Sequence, residues 1–470
     1  MDKYISPFGA RYASDKMQNL FSERHRALVW RKLWVALARA EMQLGLPISA
    51  EQVAELEQNV DNIDLEVVKA REAVVRHDVM AHVYAYSLVA PNAAPILHLG
   101  ATSCYVTDNG DLLIFRDALL LVRQGLVATV KNLAKFAEKY KDLPTVGYTH
   151  YQAAQPVTVG KRATLWMQDF CSDVREIDGV LADLKLLGCR GTTGTEASFV
   201  NLFDGDEAKI DQMNDAICKQ FGFDGCFTVC GQTYPRKVDS RIAACLASVA
   251  ESAAKMANDV RLLQHDRQIE EPFEKQQIGS SAMAYKRNPM RCERICSLSR
   301  YLVNLAANTR QTSSTQWLER TLDDSANRRL VMAEAFLCAD SVLRLTANVT
   351  DGLVVNQKMI KKTLDEYMPF IATENLLMEA VKAGGDRQRL HEVIRSCSMV
   401  ATQRIKDGEP CDLLQLLKES GEFSLDEQTL QSVMDASRYV GRSARQVERF
   451  LASVSDILAE ETDEIQPITL

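Results

Sequence analysis

Lys237 to Glu270 reads KVDSRIAACLASVAESAAKMANDVRLLQHDRQIE. Val238, Ile242, Cys245, Val249, Ala253, Met256, Val260 and Leu263 recur at steps of three or four, which lines them up on one face of an α-helix. No Gly or Pro interrupts the chain between Arg236 and Glu270. A helix this long with one apolar face needs partners of similar length, so the segment predicts a helical bundle. Working outward, Leu112, Phe115, Leu119, Val122, Leu126, Val130 and Leu133 repeat the pattern. A third rod carries Leu330, Ala333 and Phe336 or Leu337 on to Leu345, with Ser325 as its expected N-cap and Asp351-Gly352 as its stop. Further helices are expected around Trp166 to Leu187 and Arg291 to Gln311, with His150 falling just after a helix and the His98 to Ser103 segment lying ahead of a helix start at Asp108.

Composition fits long elements. The 470 residues hold 22 Gly and 12 Pro, about 5% and 3%, against a usual ~7% and ~5%. Shorter helical patterns flank the middle, at Arg24 to Leu44 and Leu65 to Leu88 on one side, and on the other around Leu376 to Ala383, His391 to Lys406 and Leu425 to Val454. The fold class expected is all-α, in three mostly helical domains: 1–102, 103–355 as an elongated central bundle, and 356–470. The net charge of −8 excludes a general nucleic-acid scaffold. Met1 to Lys16 lacks an apolar signal-peptide core, and uncharged runs such as Ser87 to Thr107 are broken by Pro91 and Pro95, so neither secretion nor a membrane span is expected. Twelve cysteines without a CxxC pair suit reduced thiols in the cytosol, with Cys226/Cys230 and Cys292/Cys296 in core or helical positions. His82 follows His77 by five and no Glu completes a set, so no metal is expected. Gly191 to Thr195 lacks the ending of a phosphate loop, and no dinucleotide fingerprint is present, which disfavours nucleotide hydrolysis and NAD chemistry.

Three segments carry chemistry. Gly279 to Arg294, GSSAMAYKRNPMRCER, sets Lys286, Arg287, Arg291 and Arg294 against the single carboxylate Glu293, beside the hydroxyls of Ser280 and Ser281. Flexible backbone N–H groups and a lysine can surround an anion. By composition alone the run reads equally as a solvated basic loop. Gly147 to Pro156 places His150 among Thr, Gln and Tyr, where it can move protons near neutral pH or serve as a structural hydrogen-bonder. His98 to Ser103, HLGATS, ends in neighbouring hydroxyls that alone read as a capping turn.

Together these segments resemble the fumarase/aspartase superfamily of fumarate-releasing lyases, whose loop has the form GSSxMPxKxNP. The spelling SSAMAYKRNPMRCER is similar to the adenylosuccinate lyase branch. Further matches to that branch are Arg11 to Ser14, Arg76 to Met80, Arg190 to Thr195 and Ala372 to Leu376. Ala284 stands where the branch has a proline, which frees φ and restores an N–H in the loop.

The resemblance implies β-elimination of fumarate from adenylosuccinate, giving AMP, and from the succinylated aminoimidazole ribotide SAICAR, giving AICAR. It implies Ser280 as the base that takes the carbon-bound proton and His150 as the acid that protonates the departing nitrogen. Thr102, Ser103, Thr149, Gln232, Lys286 and Asn288 would hold the succinyl carboxylates. Arg11, Tyr12, Arg320, Ser325 and Arg329 would hold the nucleotide, Arg76, His77 and Asp78 would wall the base, and Arg294 would add a contact. It further implies no cofactor, a cytoplasmic location, and a homotetramer whose sites form where three chains meet, the central helices pooling into one core. The loop spelling argues against argininosuccinate lyase, aspartase and fumarase. Intact Ser280, His150 and Lys286 speak against a non-catalytic protein on the same scaffold.

Overall fold

The computed structural model describes residues 4–423, 427–463, 465, 466 and 468. Met1 to Lys3 and Leu425, where a helical run is expected to begin, lie outside the described residues. Five helices of 25 to 37 residues build the centre: Ser103–Lys139, Val159–Asp183, Lys237–His265, Met290–Ser314 and Asp323–Asp351. Lys237–His265 packs against Val159–Asp183, Met290–Ser314 and Asp323–Asp351, while Ser103–Lys139 packs against Val159–Asp183 and Asp323–Asp351. Ile242, Val249, Met256 and Val260, the face read from sequence, are fully buried there. Among the described residues no helix is long and apolar enough to cross a membrane.

Two helix starts differ from expectation. The first rod begins at Ser103, ahead of Asp108, because the Asp108 carboxylate is engaged by Arg236 rather than by helix amides. The last rod begins at Asp323, so Ser325 lies inside its first turn and caps nothing. Asp108, Arg236 and Asp324 meet. The helices that carry or follow them therefore start at one end of the bundle and run parallel, and Val159–Asp183 and Met290–Ser314 return between them.

After the first rod the chain forms a hairpin that was not expected from the sequence. Pro144–Thr149 pairs antiparallel with Gln152–Thr158. The two residues between them, His150 and Tyr151, have φ of 53° and 56°, the left-handed pair of a type I′ hairpin turn. A second small ladder joins Ile269–Glu270 to Val354–Val355. Before the bundle, the expected run Leu65 to Leu88 splits into Leu65–Val75 and Asp78–Val89. Arg76 adopts φ 57° and ends the first helix, and the His77 ring caps the second by accepting from the Met80 amide.

Past the bundle, the helices Gln357–Ile371, Thr373–Lys382, Arg387–Lys406 and Leu413–Glu419 follow, and from Ala372 onward a separate small core forms, with Leu376, Leu390, Leu413 and Leu417. Ser443–Ser453 returns to the bundle and adds Val447 to the main core. Cys292 and Cys296 are buried on a helix as expected, whereas Cys226 and Cys230 are half-buried in irregular chain, the Cys226 thiol 3.2 Å from that of Cys218.

Several buried polar atoms lack a hydrogen-bond partner among the described residues, and one carboxyl group lacks it at both oxygens. Glu41, on the helix Glu23–Gln43, is fully buried and neither carboxyl oxygen has a hydrogen-bond partner among the described residues. Burial pushes its pKa up to about 8. The folded chain thus keeps a proton that the unfolded chain releases near pH ~4.3, and stability falls as pH rises between the two values, by up to about 1.4 kcal/mol per unit. Glu41→Gln removes that dependence. Its melting temperature should gain on that of the wild type steadily from pH 5 to pH 8, and an unchanging difference across that range would contradict a protonated Glu41.

Candidate active site

A cavity of about 550 Å³ opens where the parallel rods begin. Arg76, His77, Asp78, Ser103, Gln232, Arg320, Ser325 and Arg329, all singled out from the sequence, line it. Local structure aims each of them. The His77 Nδ1 accepts from the Met80 amide at 3.3 Å, so the neutral ring carries its proton on Nε2, 3.4 Å from Ser103 Oγ. Thr102 occupies the helix N-cap without its side chain capping, and the Ser103 hydroxyl turns to the cavity. His98, in the same segment, accepts from the Trp34 indole at 2.8 Å, and burial pulls its pKa down to about 4. It is a neutral structural ring. Asp78 accepts from the Val79 amide and from Arg329 at 2.8 Å each. Burial alone would raise its pKa, but these two partners outweigh burial and hold the carboxyl low.

Gln232 and Arg320 come together through a close backbone crossing. The Gln232 amide donates to the Glu319 carbonyl at 2.9 Å, and a Cβ on Gly231 would lie 2.3 Å from that oxygen. Only glycine permits the approach.

The other sequence-selected residues do not line this cavity. His150 and Thr149 are exposed at the hairpin tip. The base of that hairpin is held at the far end of the first rod, where the Gly160 amide donates to the Tyr140 carbonyl and the Val159 amide to that of Leu143, each at 2.9 Å. From Ser103 to that point the helix spans about 50 Å. The hairpin can return only about 20 Å of it, so His150 and Ser103 of one chain stay at least roughly 30 Å apart.

Ser280, Lys286, Asn288 and Arg294 belong to the same far end. Gln264, near the close of Lys237–His265, donates to the Arg287 carbonyl at 3.1 Å. Buried Glu271 accepts from the Arg291 and Cys292 amides at 3.0 and 2.9 Å, a carboxylate set on the N-terminus of Met290–Ser314. Within the loop, the Met283 and Ala282 amides donate to Ser280 Oγ at 3.1 and 3.4 Å, and Asn288 Nδ2 donates to the Gly279 carbonyl at 2.8 Å. Lys286 is exposed, with no partner among the described residues. Arg11 and Tyr12 sit in a third place, on the turn Phe8–Tyr12 against Asp323–Asp351, where the Tyr12 carbonyl accepts from Arg344.

The chain is similar to known proteins along nearly its whole length. The family model described as "Lyase" matches residues 8–303, and the one described as "Adenylosuccinate lyase C-terminus" matches 369–450. The adenylosuccinate lyase of Saccharomyces cerevisiae is 48% identical over 454 residues, covering 96% of this chain and 94% of its own length. That of Schizosaccharomyces pombe is 48% identical over 461 residues, with 97% and 96% covered. The chain belongs to the adenylosuccinate lyase family. Membership in this family makes it an enzyme of the lyase class. The fold is shared more widely: the crystal structure of 3-carboxy-cis,cis-muconate lactonizing enzyme from Pseudomonas putida superposes with a TM-score of 0.82 at 23% identity, covering 96% of this chain and 99% of that one.

The family resemblance did not draw attention to the charged floor of the cavity. Asp108, Asp111, Arg236, Asp324 and Arg328 line it as well. Arg328 reaches Asp239 at 2.6 Å and Asp111 at 2.9 Å, and Tyr234 Oη donates to Asp239 at 2.6 Å. The signal was present as charges on otherwise apolar faces and as the i, i+4 spacing of Arg320, Asp324 and Arg328.

The loop geometry carries its own test. A Cβ on Gly279 would sit 2.0 Å from the Lys286 carbonyl oxygen, so Gly279→Ala must push the two loop strands apart. If Ser280 is the base that the resemblance implies, displacing it by an ångström should lower kcat about 100-fold, while the melting temperature, set by the helical core, stays close to that of the wild type. A variant with near-normal kcat would show that the crossing does not position Ser280.

Proposed function

We propose that the chain eliminates fumarate from adenylosuccinate, giving AMP, and from SAICAR, giving AICAR, with Ser280 as base and His150 as acid. Removing a proton beside a carboxylate piles a second negative charge onto that carboxyl group, so the site must bring cations and N–H donors to it. The observation that carries the reading is the environment of Ser280: its oxygen already receives two backbone amides in a loop whose Lys286 side chain has no partner among the described residues. Amides aimed at that oxygen favour the alkoxide over the alcohol. His150, exposed at a rigid two-residue turn, is free to give its proton to the leaving nitrogen, which would otherwise depart as an unstable anion.

Succinyl contacts would come from Thr102, Ser103, Thr149, Gln232, Lys286 and Asn288, nucleotide contacts from Arg11, Tyr12, Arg320, Ser325 and Arg329, the wall around the base from Arg76, His77 and Asp78, and one further contact from Arg294. Because these groups lie at opposite ends and along the flank of one bundle, one site must draw them from different copies. A homotetramer of antiparallel bundles, pooled at the long helices, brings one chain's cavity against the loop ends of others. Exposed apolar residues on those helices, among them Leu165, Leu262, Val303 and Leu330, suit burial between copies. The division into 1–102, 103–355 and 356–470 belongs to the same proposal. So does a cytosolic location, which the twelve free thiols favour.

Fumarate release from both substrates, followed for wild type, Ser280→Ala and His150→Ala, tests the assignment. Each variant should lose about 100-fold to 10,000-fold in kcat and still bind substrate. Turnover within about tenfold of the wild type would reject that residue's role.

A further inference from the structure

We propose that Asp324 is a positioning residue that aims Arg320 at the anionic end of the substrate, with Arg236 and Asp108 locking Asp324 in place. The proposal rests on the reading of the cavity as the nucleotide-binding half of the site.

Asp324 is fully enclosed, its side chain 0% exposed. One carboxylate oxygen accepts from Arg236 Nε at 2.6 Å and the other from Arg320 Nη1 at 2.7 Å. Both oxygens are therefore committed, and the group cannot turn without breaking a charged hydrogen bond. Arg236, 2% exposed, places its two terminal nitrogens on Asp108 at 2.9 and 3.3 Å, and Asp108 also accepts from the Tyr234 amide at 3.1 Å. Arg236 thus commits all three of its nitrogens to two buried carboxylates, which holds its fork in one orientation. Arg320 differs. It is 22% exposed, lines the cavity, and uses only Nη1, on Asp324 and on the Thr321 carbonyl. Its Nε and Nη2 have no partner among the described residues and remain to meet an anion.

Charge sets the test apart from a general electrostatic effect. Two carboxylates and two guanidiniums balance in this chain of contacts, and burial, which alone would raise the pKa of Asp324, is overcome by the arginines beside it. The residue is an anion at neutral pH. Asp324→Asn removes a negative charge beside an anion-binding cavity, so by Coulomb attraction alone KM should fall. If Asp324 positions Arg320, KM rises instead.

Steady-state fumarate release from adenylosuccinate would be measured for wild type, Asp324→Asn, Arg320→Met and the double variant, each with its melting temperature. Asp324→Asn is expected to raise KM roughly 10-fold to 100-fold, with the loss carried by KM rather than by kcat, and the double variant should be no worse than Arg320→Met. An unchanged or lower KM in Asp324→Asn, no KM effect of Arg320→Met, or effects that multiply in the double variant would overturn the proposal. Purely structural damage would lower the melting temperature and kcat and leave KM alone. Should Asp324→Asn fail to fold, Arg236→Lys keeps the charge but loses the fork, and its KM should rise several-fold in the wild-type background and not at all beside Arg320→Met. Independent effects would again overturn it. A wild type that releases no fumarate would sink the assigned reaction, a separate result from any of these.

Discussion

A rod that does not bend holds the chemistry of this chain apart. Ser103–Lys139 carries the Ser103 hydroxyl at one tip and the base of the His150 hairpin at the other, about 50 Å away. The neighbouring rods do the same for Gln232 and Arg320 against Ser280 and Lys286. Stiffness comes from packing: the apolar faces of five long helices close on one another, and none of these faces can be exposed without losing the burial that keeps the helices intact. A catalytic step that needs both ends of such an object can happen only between copies of it.

Each end is built for its share. At the cavity end, charge is nearly balanced within the wall, with Arg236, Arg328 and Arg329 paired to aspartates, so that few donors remain free and those are held in fixed directions. At the loop end the opposite holds. The Lys286 side chain is exposed and has no partner among the described residues, and Ser280 Oγ accepts from amides of its own loop. Rigid recognition at one end and an adaptable loop at the other suit a reaction in which substrate must be seated before water is excluded.

Periodicity made the rods legible before any coordinates. The uninterrupted stretch after Arg236 becomes a helix to His265, and Gly352 ends the last rod as read. The hairpin was not legible, because its turn is His150-Tyr151 rather than the glycine pairs that announce a type I′ turn, and Pro144 and Pro156 disguise its strands. Asp108 looked like a helix start because aspartate is a good cap, and its true partner, Arg236, is distant in sequence. The same distance hid the cavity floor: side chains that pair across three helices leave no local pattern. Motif matching found eight of the residues that line the cavity, and the separation of Ser103 from His150 and Ser280 within one chain came from the resemblance and not from any local pattern.

The most direct test is to mix subunits. His150→Ala and the cavity-end variant Ser103→Ala/Arg320→Met, each inactive at low substrate, would be denatured and refolded together in equal amounts and assayed for fumarate release. If the two ends of a site come from different chains, random reassembly leaves about a quarter of sites intact at both positions, and activity should recover to about that share of the wild type. A mixture no more active than the two variants refolded separately would contradict the shared site.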